Sequence, residues 1–463
     1  MQKKIISSHT FLLPFSFQGS IEKELKQNGW QKKDLKFESV VDYNEYVYFY
    51  KHVQDALYNN DEISKTYVYK FSKGTFSIET SKGNYTLELE NLTIRIFQNN
   101  IAILVFSLEN YKYDKIEDIL VINEFGRRIY PQFLGNNFIE DTQKKILAKK
   151  ITLKLDDKEY SEDFGRFNDL GYLNRLKDSK ENLLFPEYIK KVLGTKSPLS
   201  LVLDDRMFVI SLFLNDDFAK QVQSETYDND TWYKYVFVDG DDKTCQNPPL
   251  CSKMLEEATY SRWLNYGTLF GVTRYSFVAL SNGDYGRDLL LKHMKTIYLQ
   301  MLMLLLAYRT MIVKFSDDIQ DVTSAKEADI VNRTTQLYKR YIQFLNKLYF
   351  REVTAQDQGI ELFNQAKQIM QIDMQLKDLD HEINELQAYT KMLTAEKENE
   401  HMRKLTQLGA VFLPGSFIAG FLGMNTIPAN VTGWFWTIVV GVSIVFATRY
   451  VLKKVNIKYK ELF

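Results

Sequence analysis

One uncharged stretch near the C-terminus constrains the fold of this chain more than any other feature. From Leu405 to Leu422 no residue carries a charge, and the stretch is followed directly by Gly423, Met424 and Asn425. A helix rises about 1.5 Å per residue, so a helix of this length nearly crosses the hydrocarbon core of a bilayer, which is roughly 30 Å thick. Residues 404–425 therefore predict a membrane-spanning helix.

A second apolar segment, residues 434–452, follows after a short loop. Its one charged residue, Arg449, lies close enough to the end of the segment to reach the lipid headgroups. The loop 426–433 contains no Lys or Arg. Basic residues instead precede the first span and follow the second: Lys397, Arg403, Lys404, Lys453, Lys454, Lys458 and Lys460. This distribution predicts a transmembrane hairpin in the inner (cytoplasmic) membrane, with both termini in the cytoplasm.

A two-helix hairpin behind a long N-terminal region, with Gly-Met-Asn at its outer turn, resembles the CorA family of divalent-cation channels. The residues that carry the resemblance stand in family order between 399 and 454: Asn399, Met402, Leu405, Pro414, Phe417, Ile418, Ala419, Gly420, Gly423, Met424, Asn425 and the basic tail. The resemblance implies a homo-oligomer, pentameric as in the family, that passes cations. The sequence contains no Walker loop, dinucleotide fingerprint or nucleophile motif, so no enzyme is predicted.

The resemblance also assigns roles along the first span. Gly423, Met424 and Asn425 would form the selectivity filter, because neutral amide and carbonyl oxygens can recognise hydrated Mg²⁺ or Co²⁺ without stripping its water. Pro414 lacks a backbone donor and should bend the helix. The expected pore-lining and gate residues recur every three or four positions: Asn399, Met402, Leu405, Gly409, Leu413, Ser416 and Gly420. Without the motif, the small residues would be explained by close helix packing in lipid, and Gly-Met-Asn by a helix C-cap.

The sequence departs from the family at the outer mouth of the predicted pore. Leu422 stands where the family commonly has Tyr, and the loop 426–433 contains no carboxylate. Without acidic residues the mouth should concentrate divalent cations less strongly. CorA-like proteins encoded beside type III CRISPR systems are similar in their large N-terminal domain and altered mouth. This similarity implies an alternative function, a membrane effector of antiviral defence gated by a nucleotide signal such as adenylated S-adenosylmethionine.

Residues 1–285 predict a cytosolic α/β sensor domain. The chain has 59 basic and 59 acidic residues, a balance that argues against binding to nucleic acid. It begins without a recognisable signal peptide, so this domain is expected in the cytoplasm. Strands are predicted where runs rich in Tyr, Phe, Val and Ile lie between turn signals: residues 45–50, 66–71, 85–90, 101–108, 151–155, 201–203, 208–213, 232–238 and 275–280. Helices are predicted at 114–125 and 185–193.

Residues 286–404 predict a helical region and stalk. The apolar segment 296–315 could be a third span, but Gln300, Arg309 and Lys314 favour a buried cytosolic helix. Residues 357–422 contain a single proline, Pro414, and residues 360–408 contain no glycine. Because helix-breaking residues are so rare here, the sequence predicts one continuous helix over 357–422. Its apolar seam predicts either a coiled coil between copies or an antiparallel hairpin with residues 331–350: Ile369, Ile372, Leu376, Leu379, Ile383, Leu386, Thr390 and Leu393.

The predicted fold is therefore an α/β cytosolic domain (1–285), followed by long stalk helices (286–404) and a two-helix C-terminal transmembrane hairpin with a basic tail (405–463). A non-conducting membrane scaffold is a further alternative to the channel, because the seam alone requires only self-association.

Three groups of residues in the α/β domain are weaker candidates for ligand sites. A regulatory Mg²⁺ could bind acidic residues, which are also explained as solvated turns: Asp204, Asp205, Asp239, Asp241 and Asp242. A planar ligand could bind aromatic residues and one arginine, which more often belong to a core: Trp232, Trp263, Tyr266 and Arg274. Cys245 and Cys251 lie close in sequence and are expected to be reduced in a cytosolic loop.

Overall fold

The computed structural model describes residues 3–59, 61–129, 147–164, 185–240 and 243–423, together with positions 433, 435, 436, 438–443, 446 and 450. The chain divides into two compact units. The first comprises residues 1–321 and 336–382, and the second comprises residues 322–335 and 383–463. The first unit is an α/β sheet domain followed by long helices, as the sequence predicts.

The described residues of the first unit contain one mixed sheet of 13 strands. The strands are β1 Ser7–Phe17, β2 Trp30–Lys32, β3 Ser64–Tyr69, β4 Gly74–Glu79, β5 Asn84–Phe97, β6 Ile101–Asn110, β7 Lys150–Leu155, β8 Lys158–Asp163, β9 Leu199–Leu201, β10 Phe208–Leu214, β11 Thr259–Tyr260, β12 Leu269–Val272 and β13 Ser276–Ser281. The main path runs β11-β12-β13-β10-β1-β6-β5-β4-β7-β8, with β2, β3 and β9 attached beside it. Strands β10 and β13 pair in parallel, and β1 pairs antiparallel with β6 and β10.

Helices connect strands of the sheet and then make up most of the described residues from 283 to 423. They are α1 Ile21–Gln27, α2 Val40–Tyr48, α3 Lys51–Gln54, α4 Ile116–Gly126, α5 Glu187–Leu193, α6 Asp216–Ser224, α7 Asp230–Phe237, α8 Pro248–Ala258, α9 Gly283–Tyr285, α10 Leu291–Lys295, α11 Ile297–Thr323, α12 Glu327–Lys347, α13 Asp357–Ile369 and α14 Ile372–Gly423. Both α12 and α14 contribute residues to each unit.

Two apolar clusters hold the sheet and its helices together. One contains Phe11, Phe76 and Phe106 from three strands of the sheet. The other contains Phe213 of β10 and Trp232 of α7. The central strands β6 and β10 are buried along almost their whole length, which explains their continuous apolar sequence.

Two predicted strands, 45–50 and 232–238, are wrong, because most of their residues belong to helices α2 and α7. Each helix has a side-chain cap at its N-terminus. Ser39 and Asp42 form a capping box, in which the backbone N–H of Ser39 donates to the Asp42 carboxylate at 2.8 Å. The side chain of Asn229 accepts from the backbone N–H of Trp232 at 2.8 Å. These caps start helices in segments whose aromatic and β-branched residues favour strands.

The continuous helix predicted over 357–422 is also wrong. Helix α13 ends at Ile369 and α14 begins at Ile372. Between them Gln371 has a φ of +57°, in the left-handed region. The buried ammonium group of Lys367 lies 2.8 Å from the Asp373 carboxylate and ties the two helices together across this break. Neither glycine nor proline occurs at the break, so the sequence contains no local signal that predicts the end of α13.

We expect Gln371→Val to lower the free energy of unfolding by about 1–2 kcal/mol, because the left-handed conformation is strained for a residue with a side chain and most of all for a β-branched one. Gln371→Gly should change stability by less than about 0.5 kcal/mol, since relief of the strain is offset by greater freedom in the unfolded chain. Gln368→Val, at an exposed helical position, is the matched control. Equal destabilisation by the two valines in urea titrations would contradict the helix break.

A buried polar network crosses the centre of the sheet. His9 of β1 is fully buried, and its Nδ1 lies 2.7 Å from the Oδ1 of Asn123 on α4. Its Nε2 lies 2.8 Å from the Oγ of Ser7. These partners fit a neutral ring that donates from Nδ1 and accepts at Nε2. Burial lowers the pKa of His9 to about 4, and the hydrogen bond to Asn123 opposes this shift only in part.

Stability should therefore fall as the pH decreases from about 6.5 to about 4. In that window the unfolded chain protonates His9 whereas the folded chain does not, so unfolding takes up a proton. The loss attributable to His9 is roughly 3 kcal/mol over the window and is absent above it. Urea titrations at a series of pH values test this: His9→Gln should flatten the profile, whereas His401→Gln at an exposed site should not. An unchanged profile for His9→Gln would contradict the assignment.

Candidate functional site

The residues expected to line the pore all lie on the C-terminal part of α14, in the second unit. Their spacing of three and four residues places them along one face of the helix. Asn399 is exposed, and the exposed fractions of Met402, Leu405 and Leu413 are 62%, 62% and 70%. The Ser416 hydroxyl donates to the carbonyl of Leu413 at 2.9 Å. These side chains therefore do not meet one another within one chain, but they present a common face.

The two glycines on this face leave open space beside the helix. A Cβ atom added at Gly409 or at Gly420 would meet no other heavy atom within 4 Å, apart from neighbouring backbone of the helix. Described side chains beside this face are exposed as well. Leu408, Phe412 and Phe417 are exposed by 54%, 70% and 70%. So many large apolar side chains exposed along one helix are unfavourable in water, so this part of α14 must be covered by lipid or by other protein.

Helix α11 shows the opposite pattern. Among the described residues, one helical stretch, Gly283–Thr323, is long and apolar enough to cross a membrane, but 78% of its most apolar window is buried inside the protein. The side chains of Leu304, Leu305 and Tyr308 are completely buried. Burial by protein explains the apolar sequence of α11 without a membrane. It agrees with the interpretation of residues 296–315 as a buried helix.

Several predicted site residues lie outside the described part of the chain. Gly423 is the last residue of α14, and Met424 and Asn425 are not described. The backbone at Pro414 is helical, but its side chain is not described. In the second predicted span, the described side chains are largely exposed, including Phe435 (62%), Trp436 (64%) and Phe446 (68%). The transmembrane hairpin, the filter and the bend at Pro414 therefore stay predictions.

The seam of the stalk packs against α12. Its buried members are Ile372, Leu379, Ile383, Leu386, Thr390 and Leu393. In the first unit Tyr341 donates to Asp380 at 3.1 Å, and in the second unit Thr390 donates to Thr334 at 3.2 Å. Since α12 covers this seam within the same chain, the structure favours the antiparallel hairpin over a coiled coil between copies at these positions.

Two of the candidate metal ligands, Asp204 and Asp205, form ion pairs with an arginine. The carboxylate of Asp204 lies 2.8 Å from Nη2 of Arg206, and Oδ1 of Asp205 lies 3.5 Å from Nε of the same residue. Burial, together with the neighbouring Asp204, raises the pKa of Asp205 to about 7. The described residues contain no group of three or more His, Cys, Asp or Glu arranged to hold a metal.

The other acidic candidates are separate from this pair in sequence. Asp239 accepts hydrogen bonds from the backbone N–H of Thr244 at 2.6 Å and from its hydroxyl at 2.8 Å. Asp241 and Asp242 lie outside the described residues, so a Mg²⁺ site in this turn stays a prediction.

The aromatic candidates are not brought together into one site. Trp232 is completely buried in the core, where its Nε1 donates to Thr259 at 3.1 Å. Trp263 and Tyr266 contact each other with ring centroids 6.0 Å apart, and Tyr266 is 68% exposed. Arg274 lies half-buried just before β13.

The two cysteines, Cys245 and Cys251, are free thiols; Cys245 lies in the loop before α8, and Cys251 lies within α8.

The sequence did not reveal a group of buried arginines in the first unit. Arg127 and Arg309 are only 3% and 5% exposed. Arg127 pairs with Glu124 on α4 at 2.9 Å. The sequence contains two local signals of this group, the adjacent pairs Arg127-Arg128 and Asp205-Arg206. Charged pairs of this kind ordinarily lie on the surface, so neither predicts a buried group.

A family model described as CorA-like Mg²⁺ transporter protein matches residues 287–454. No curated protein matches the chain. Among solved structures, the CorA magnesium transporter from Methanocaldococcus jannaschii is 13% identical, with a TM-score of 0.23 and coverage of 56% of this chain and 94% of that chain. The full-length CmaX protein is 17% identical, with a TM-score of 0.22 and coverage of 54% and 89% respectively. These two structural likenesses are too loose to support an argument about geometry.

The matched region contains α11 to α14 and the whole of both predicted spans. This agrees with the resemblance seen in residues 399–454, and CorA proteins are transporters rather than enzymes. Over residues 287–454, which include the predicted stalk and both predicted spans, this chain is therefore similar to the CorA family.

Proposed function

We propose that this protein is a homo-oligomeric membrane channel for divalent cations, with Mg²⁺ or Co²⁺ as the transported ion. The observation that carries the proposal is the match of residues 287–454 to the CorA-like Mg²⁺ transporter model, because it includes the whole predicted pore segment. A pentamer is proposed from the same match, because the CorA proteins that residues 287–454 resemble are pentameric. The proposed domains are 1–285, 286–404 and 405–463, in the inner membrane with both termini in the cytoplasm.

The exposed C-terminal part of α14 supports this proposal. In an oligomer around a common axis, Met402 and Leu405 would form apolar rings that stop ion flow by dewetting. The small residues Gly409, Ser416 and Gly420 would leave room for a hydrated ion farther along the same face. The remaining exposed side chains, such as Phe412 and Phe417, would contact lipid or neighbouring helices. Gly423, Met424 and Asn425 would then form the selectivity filter.

Ion flux into liposomes tests the proposal. The full chain is reconstituted into vesicles that contain a Mg²⁺-sensitive dye, and Mg²⁺ is added outside with a membrane potential that is negative inside. Entry of Mg²⁺ well above that of protein-free vesicles is expected, and Co²⁺ is measured in parallel. Entry equal to that of protein-free vesicles, under every ligand condition below, would contradict the proposal and favour a non-conducting scaffold.

A nucleotide-gated defence effector is a second candidate function. It is favoured by one observation, the lack of carboxylates in the loop 426–433, which weakens the case for efficient Mg²⁺ uptake. The same vesicles are therefore tested with cyclic oligoadenylates and with S-adenosylmethionine conjugates. Flux that begins only with one of these ligands would support the effector, whereas flux that is insensitive to all of them would contradict it.

A further inference from the structure

Five arginines of the first unit come from four separate segments and are joined by short contacts. Arg127 and Arg128 follow α4, Arg206 precedes β10, Arg274 precedes β13, and Arg309 lies on α11. Backbone hydrogen bonds connect the first three segments: the N–H of Met207 donates to the Arg127 carbonyl at 2.7 Å, and the N–H of Val209 donates to the Tyr275 carbonyl at 3.1 Å. We name these five side chains the arginine cluster.

The ring of Tyr275 lies at the centre of contacts within the arginine cluster. The guanidinium carbons of Arg206 and Arg309 lie 4.8 Å and 5.3 Å from its centroid, which is the range of cation–π contacts. Arg309 also donates to the carbonyl of Arg274 at 2.9 Å. The charge of Arg274 acts on that of Arg309 and lowers the pKa of Arg309 further than burial alone does.

Three carboxylates among the described residues pair with the cluster. Glu124 accepts from Arg127 and from Nε of Arg128, each at 2.9 Å. Asp204 and Asp205 both lie within ion-pair distance of Arg206. Within the described part of the chain, five guanidinium groups against three carboxylates leave an excess of two positive charges. The excess increases towards neutral pH and below, because the raised pKa of Asp205 favours its neutral form.

Part of this positive charge has no partner. The Nη2 of Arg127 donates to Glu124 and to the carbonyl of Val238, but its Nε and Nη1 are buried without a hydrogen-bond acceptor from any residue that the structure describes. Arg274 likewise has a buried Nε without an acceptor. A guanidinium group stays protonated in proteins, so it cannot remove this imbalance by losing a proton. Buried donors and unbalanced charge are costly unless an anion satisfies them.

We propose that the arginine cluster binds a phosphate group, with Arg127 as its principal donor. Phosphate carries close to two negative charges at neutral pH and several acceptor oxygens, which matches both the excess charge and the free N–H groups. Arginine is the side chain best suited to hold such an oxyanion in a buried site. The site lies within the first unit and does not depend on the pore, so it can be tested without any ion flux.

Isothermal titration calorimetry on the full chain in detergent tests the proposal, with sodium phosphate, glycerol 3-phosphate and glycerol as ligands at a constant ionic strength set by sodium chloride. Saturable binding of phosphate or of its ester is expected, and glycerol should not bind. Binding of inorganic phosphate alone identifies a site for the free ion, whereas tighter binding of the ester identifies a phosphorylated metabolite as the ligand. Absence of binding by both would overturn the proposal.

Two variants locate the binding. Arg127→Lys keeps the charge but loses the guanidinium donors, and Arg274→Gln removes one charge from a residue that forms no ion pair with the described residues. Each should weaken phosphate binding by at least about tenfold. Arg262→Gln, an exposed arginine paired with Glu361 outside the cluster, is the control and should bind as the unmodified chain does. If Arg127→Lys does not fold, Arg274→Gln decides, and unchanged binding by it would overturn the proposal.

Discussion

Asn425→Ala channels are expected to pass Mg²⁺ at least about tenfold more slowly than the unmodified channel. In the proposed filter, the amide oxygen of Asn425 accepts hydrogen bonds from the water shell of the ion. One such bond is worth about 1 kcal/mol, and the ring repeats the loss in every copy, so the combined effect exceeds that of a single bond. Flux into dye-loaded vesicles measures the change directly.

The matched control for this change is Asn364→Ala. Asn364 is an exposed asparagine on α13 and has no place in the proposed pore. Its replacement should leave flux unchanged, and both variants should reach the vesicles in equal amounts. Equal Mg²⁺ flux through the Asn425→Ala variant and the unmodified channel would show that Gly-Met-Asn does not select the ion here.

Glu124→Gln is expected to lower the free energy of unfolding by about 3–5 kcal/mol, the usual cost of removing one partner from a buried ion pair. Glu124 is 6% exposed and pairs with Arg127 and Arg128, which hold its pKa below the ordinary value despite its burial. Glutamine keeps the size of the side chain but removes its charge, so two buried or half-buried arginines lose their counter-ion. Urea titration followed by tryptophan fluorescence measures the loss.

Glu256→Gln, at an exposed position on α8, is the control for Glu124→Gln and should change stability by less than about 0.5 kcal/mol. A change of under about 1 kcal/mol for Glu124→Gln would contradict the view that Glu124 is needed to hold the arginine cluster. Added phosphate should stabilise the Glu124→Gln variant if the cluster binds it, because the variant has a larger excess of positive charge.

Much of the sheet could be predicted from local pattern. Residues 101–108 and 208–213 are strands because each run is short, apolar and bounded by turns, and both are buried in the centre of the sheet. The predictions at 45–50 and 232–238 were wrong because side chains outside those windows, Ser39 and Asn229, cap helices there. The helix break at Gln371 has no local signal, since only its strained backbone and the contact between Lys367 and Asp373 reveal it.

The sequence predicts one of the two candidate sites, the exposed face of α14, but not the other, the arginine cluster. The shared face of α14 that is proposed to line the pore follows from spacing, because residues from Met402 to Gly420 lie on one helix. The arginine cluster could not be found this way. Arg127, Arg206 and Arg309 are far apart in sequence. The backbone bridge between residues 127–128 and 206–207, the pairing of β10 with β13 and the packing of α11 bring them together.

Current recordings from the full chain in a planar lipid bilayer test the central claim most directly. With different Mg²⁺ concentrations on the two sides and no other permeant cation, the proposed channel should produce discrete current steps that reverse near the Mg²⁺ equilibrium potential. Steps should be present either without ligand or after addition of one ligand from the nucleotide panel. A bilayer that contains the inserted protein but shows no steps at any voltage, with or without these ligands, would contradict the account.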